Sequence, residues 1–160
     1  MFTKILVALD YSDTSQYLFD EAVCLAQKTG ASLMLLHVVS TFDEPSVDPS
    51  FIQPNILYAE LQSETHHQNL SDWEQIKLLR KNWLGSLCRS GISLGIKTQF
   101  TLNTGNPSKI ICHIARSWDA DIIVIGRRSC RDSHSSFLGS VSSYVMYHAP
   151  CSLLTVQKHL

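Results

Sequence analysis

Between Ser32 and Val39 the chain reads SLMLLHVV, a run too continuously apolar for one face to meet water. A strand of that kind belongs inside a sheet covered on both sides. Residues 3–9, TKILVAL, form a similar run that ends at Asp10. Between the two, Ser12 or Asp13 can cap a helix over 13–29, with an apolar stripe of Leu18, Phe19, Ala22, Val23 and Ala26. Gly30 stands where a left-handed C-cap would stop it. Strand, helix and strand with short links imply a parallel pair joined by a right-handed crossover.

The next stretch breaks this rhythm. Asp43, Glu44, Pro45, Asp48, Pro49 and Pro54 exclude regular helix or sheet, so an insertion is expected at about 40–70. Ser71-Asp72-Trp73-Glu74 matches a capping box. Leu70, Trp73, Ile76, Trp83, Leu84 and Leu87 fall on one face and predict a helix over 71–89, ended by Gly91; a start nearer Ile56 stays open. Residues 95–102, GIKTQFTL, alternate apolar and polar as a sheet-edge strand does. Asn106-Pro107 is a helix start, with Ile110, Ile111, Ile114 and Ala115 as the buried face. Ile122 to Gly126 reads as a short buried strand, followed by a serine-rich loop and a helix from Phe137 to His148. Pro150 ends that helix, and Ser152 to Val156 is a last strand. Five strands alternating with four helices predict one α/β domain over residues 1–160. Its expected form is an open, doubly wound, five-stranded parallel sheet of order 3-2-1-4-5 with helices on both faces.

Composition narrows the function classes. The net charge is −1 and no Lys/Arg cluster occurs, which argues against a nucleic-acid binder. No apolar run is long enough for a membrane span, and the first residues lack a basic and apolar leader pattern. No membrane association and a cytoplasmic location are therefore expected. The five cysteines are scattered without a CxxC pair, against a disulfide framework or zinc site. Cys130, in the polar loop, is the one candidate reactive thiol. His66-His67 and His113 read as surface residues rather than metal ligands, and His134 as part of a solvent-facing loop. The chain contains no GxxxxGK[ST] and no GxGxxG.

In a sheet of this order, ligands bind beyond the carboxyl ends of the strands where the order reverses, between the first and fourth strands. Asp10 and Gly126 would face each other there. A carboxylate suits a ribose hydroxyl or a magnesium-bound water, and a glycine loop leading to a helix start at Gly139-Ser140-Val141 suits phosphate. A turn aspartate beside an ordinary strand-to-helix loop is the competing reading of the same residues.

With these elements in place the chain resembles the universal stress protein family over nearly its full length. The resemblance rests on KILVALDYSDTS, LLHVV, GNPSKIICHIARSWDADIIVIGRR and, most specifically, FLGSVSSYVMYHAPCSLLTVQ. ATP-binding members carry glycine, two residues, glycine, nine residues, then glycine with serine or threonine. Here Gly126, Arg127, Arg128, Ser129, nine residues and Gly139-Ser140 keep the spacing, with Ser129 in place of the second glycine. The resemblance implies that Asp10 and Val38 border adenosine. Gly126, Ser129, Gly139, Ser140 and Val141 would surround ribose and phosphates, with Arg127 and Arg128 at the family's variable pair. It further implies ATP as ligand, with or without Mg2+, and a homodimer through Ser152 to Val156.

Three functions follow. The first is an ATP-binding regulatory protein of the stress-response kind. The second is a dimeric interaction module of the same fold that has lost nucleotide binding, for which Ser129 speaks. The third is a weak ATPase, which would need a base or water-positioning group and a metal ligand near the γ-phosphate. No such group is evident beyond Asp10 and His134, so enzymatic turnover is not the expectation.

Overall fold

The computed structural model describes residues 1–40, 65–126 and 139–157, with side chains of the helix opening the second segment described from Trp73 onward. The insertion expected at about 40–70 falls largely outside the described residues. Five strands, β1 (Lys4–Leu9), β2 (Ser32–Val39), β3 (Thr98–Thr104), β4 (Ile122–Gly126) and β5 (Ser152–Val156), alternate with four helices. These are α1 (Ser15–Thr29), α2 (Thr65–Ser93), α3 (Pro107–Ser117) and α4 (Ser140–His148). All strands are parallel, in the order β3-β2-β1-β4-β5, as the sequence predicts. β1 lies at the centre between β2 and β4, and Ile5, Leu6 and Val7 have no exposed surface.

Side chains alternate across β1 and split the core into two layers. Ile5, Val7 and Leu9 meet Leu18, Phe19, Ala22 and Val23 of α1 and Leu84, Leu87 and Cys88 of α2. Leu6 and Ala8 face the other way, with Ile111, Cys112 and Ala115 of α3 and Val145 of α4. Helices thus cover both faces, and the strand order reverses between β1 and β4. The predicted stripe of α1 is buried residue for residue, and Gly30 adopts the left-handed conformation at φ 71°.

Three boundaries differ from those expected: both ends of α2 and the start of β3. α2 begins at Thr65, so Ser71 lies inside it and the S-x-x-E pattern is not a cap. The same helix runs through Gly91 to Ser93. Gly91 is there because α2 packs hard on β3: a Cβ at this position would stand 2.5 Å from Thr98 Oγ1. The stop comes at Gly95, φ 79°, where the Gly95 N–H bonds the Ile92 carbonyl and the Ile96 N–H bonds the Gly91 carbonyl. Residues 95–97 are thereby taken into the turn, and β3 starts at Thr98 rather than at residue 95.

At the amino ends of the strands, Asp121 ties β1 to β4. Its Oδ2 accepts the Thr3 N–H at 2.7 Å, the Thr3 hydroxyl at 2.7 Å and the Lys4 N–H at 2.9 Å. These bonds, the Thr3 hydroxyl first, hold the carboxyl below its ordinary value of 3.8. A depressed folded-state pKa supplies stability that is complete above the ordinary value and lost as pH falls through the folded one. Equilibrium unfolding followed through and below pH 3.8 should show a steeper loss in the wild type than in Asp121→Asn. Parallel curves would remove Asp121 from the acid response. Gly91→Ala should lower stability by about 1–3 kcal/mol in urea unfolding, because β3 or α2 must shift to admit the methyl group. An unchanged midpoint would mean that Thr98 yields without strain.

Candidate functional site

Asp10 follows β1 directly. β1 pairs Ala8 with Ile125 of β4, so Asp10 and Gly126 leave the sheet side by side at the reversal. Val38 lies one residue before the end of β2, buried in the layer shared with α3 and α4. From the same side α4 begins at Ser140, with Gly139 as its N-cap at φ −64° and ψ 162°. Val141 packs against the cluster that contains Ala8, Val38 and Ile125. Six of the eight predicted site residues are thus gathered at one end of the sheet. Arg127 and Ser129 lie outside the described residues, as do Arg128, Cys130 and His134.

The two glycines at this end differ in kind from Gly91 and Gly95. Neither Gly126 nor Gly139 has a positive φ. Among the described residues, a Cβ at Gly126 would meet only Leu18 Cδ2, at 3.6 Å, and one at Gly139 only Ser142 Oγ, at 3.7 Å. Both are ordinary van der Waals distances, so among the described residues neither packing nor backbone demands glycine. Gly139 also has no side-chain oxygen with which to cap α4. The first bond of the helix runs from the Ser143 N–H to the Gly139 carbonyl, which leaves the earlier N–H groups of the first turn without an intrahelical acceptor. They carry the positive end of the helix dipole.

Asp10 is held by two hydroxyls, one of them from Ser12, which the sequence offers as a cap for α1. Ser12 donates to Asp10 Oδ1 at 2.7 Å, and Ser15 Oγ lies 3.0 Å from the same oxygen and against the Asp10 carbonyl. Ser12 therefore does not cap α1, whose N-cap is Thr14 without a side-chain bond. The signal was the spacing Asp10, Ser12, Ser15. Behind this turn, His37 Nδ1 is 2.8 Å from the Leu9 carbonyl, and its ring meets Trp83 edge to face at 5.6 Å. Trp83 meets Tyr11 at 5.2 Å, and the Arg80 guanidinium lies 3.5 Å from the Tyr11 ring centre. Tyr11, Ser12, Asp13 and Trp83 line a small cavity of about 240 Å³. No sequence signal marks this cluster, because α2 reaches β1 only through the fold.

Other candidates stand apart. His113 is exposed on α3. Among the described residues no three His, Cys, Asp or Glu side chains converge as a metal site. Burial raises the Cys88, Cys112 and Cys151 thiols above their ordinary value, which keeps them protonated at neutral pH. No helix among the described residues is long and apolar enough to cross a membrane.

A model of the universal stress protein family matches residues 1–157. A universal stress protein of Synechocystis is 32% identical over 158 residues, covering 98% of each chain. The solved structure of universal stress protein UspA from Lactobacillus plantarum superimposes with a TM-score of 0.66 at 28% identity, covering 97% of each chain. A universal stress protein family protein from Arabidopsis thaliana, solved with AMP bound, gives 0.62 at 20% identity, covering 98% of this chain and 92% of that one.

Proposed function

The chain belongs to the universal stress protein family, and from that premise we propose that it is an ATP-binding regulatory protein of the stress response. The observation that carries the proposal is the pair Gly126 and Gly139. Both stand where β1 and β4 diverge, and the described residues around them require glycine at neither. Missing side chains at these points leave backbone open to a ligand, and the uncapped start of α4 offers N–H groups to an anion. The adenosine would lie along Asp10 and Val38, with the Asp10 carboxylate on a ribose hydroxyl. Gly126, Ser129, Gly139, Ser140 and Val141 would surround ribose and phosphates, with Arg127 placing a cation nearby. Mg2+ would enter with the triphosphate, since no protein cluster among the described residues is built to hold it alone. The AMP bound to the Arabidopsis relative supports an adenine nucleotide in this fold.

Signalling through a second copy completes the reading. β5 is an outer strand of the sheet, and Leu154 on it is 40% exposed. An apolar edge with an unpaired ladder invites pairing with another chain. We therefore include a homodimer through Ser152 to Val156 and a cytoplasmic setting in the proposal. This edge also favours the second reading, an interaction module of the same fold that does not bind nucleotide.

Gly139→Asp should abolish ATP binding in calorimetry while circular dichroism and thermal unfolding stay those of the wild type. It places a carboxylate at the positive end of α4 where the fold has room for it. Wild-type affinity in this variant would refute the site. Leu154→Asp should convert the dimer to monomer in sedimentation velocity; an unaltered sedimentation coefficient would take β5 out of the interface.

A further inference from the structure

We infer that Ser12 and Ser15 are positioning residues for the Asp10 carboxylate, and that through it they set a preference for ribose over 2′-deoxyribose. The inference rests on the nucleotide reading above and concerns how that site discriminates. Asp10 sits at the end of β1, half exposed, where an unsupported carboxylate would sample several rotamers. Two hydroxyls prevent this. Ser12 donates to Oδ1 at 2.7 Å and Ser15 Oγ stands 3.0 Å from the same atom. Ser15 is itself buried and fixed from both sides: its oxygen accepts the Ser12 N–H at 3.3 Å and contacts the Asp10 carbonyl.

The arrangement forgoes something. Serine at the start of α1 could cap the helix, a contribution of about 1 kcal/mol, yet α1 has no side-chain cap: the Thr14 hydroxyl pairs with Ser12 Oγ at 2.9 Å, and Ser12 donates to the carboxylate. A carboxylate fixed in orientation can accept from a ligand hydroxyl without first losing rotamer freedom, so the bond contributes more to binding. On the far side His37 anchors the Leu9 carbonyl, so the backbone beneath Asp10 is fixed as well. The ligand chemistry that matches a fixed carboxylate beside a phosphate-binding backbone is the vicinal diol of a ribonucleotide.

The test is calorimetric titration of ATP and 2′-deoxy-ATP into the wild type, Ser15→Ala, Ser12→Ala, Asp10→Ala and the Asp10→Ala/Ser15→Ala double variant. The wild type should prefer ATP about tenfold or more, as expected for a hydrogen bond to a charged acceptor. Ser15→Ala should lose most of that preference while its affinity for 2′-deoxy-ATP changes little, and it should add no further loss in the Asp10→Ala background. Equal weakening of both nucleotides, or the same loss with Asp10 absent, would overturn the inference, because Ser15 would then act through the fold alone. Ser12 is exposed, so Ser12→Ala carries the same comparison if Ser15→Ala does not fold, and Ser12→Thr should restore the preference. A wild type that binds both nucleotides equally removes the ribose inference only; one that binds neither removes the nucleotide reading beneath it.

Discussion

The burial of β1 on both faces is the constraint on which the rest depends. Ile5, Leu6 and Val7 are fully enclosed, so each side of the strand must find a helical layer and each edge a parallel neighbour. Parallel neighbours can be reached only by crossover connections, and right-handed crossovers running outward in opposite directions put α1 and α2 on one face and α3 and α4 on the other. The connections leaving β1 and β4 then part company at the carboxyl end of the sheet. The crevice is a consequence of topology, and Asp10, directly after β1, and Gly126, the last residue of β4, occupy it by position.

Against that scaffold the glycines sort into two groups. Gly91 and Gly95 answer to the fold, one to the closeness of Thr98 and the other to a left-handed turn. Gly126 and Gly139 answer to neither, since a methyl group at each would meet only ordinary contacts among the described residues. Both of the latter stand at the crevice. The Asp10 turn follows the same logic, because hydroxyls that could stabilise α1 are committed to the carboxylate instead. Features that the fold does not require, collected at one end of the sheet, are what a binding site leaves in an otherwise regular structure.

The parallel order, both helical layers, the end of α1 and the start of α3 could be read from apolar periodicity and from local stops such as Gly30 and Asn106-Pro107, since local sequence decides them. The α2 boundaries could not. Ser71 looks like a cap in isolation, and Gly91 like a stop, but a long helix packed on β3 overrides both, and the pressure behind Gly91 comes from a strand seven residues further on. Asp10, Gly126 and Gly139 could be found because strand ends and helix starts are visible in sequence, whereas Val38 came from the family resemblance. Tyr11, His37, Arg80 and Trp83 could not, because their stacking joins segments that only the folded sheet brings together.

Membership of the universal stress protein family and the spare room at two glycines among the described residues lead to one central proposal, that this chain binds ATP where β1 and β4 diverge. The most direct test is calorimetric titration of the nucleotide-stripped wild-type protein with Mg-ATP. The account predicts saturable binding at about one nucleotide per chain, with a dissociation constant below about a millimolar. No saturable heat up to millimolar ATP, from protein that is folded and dimeric, would contradict it and leave the fold serving association through β5.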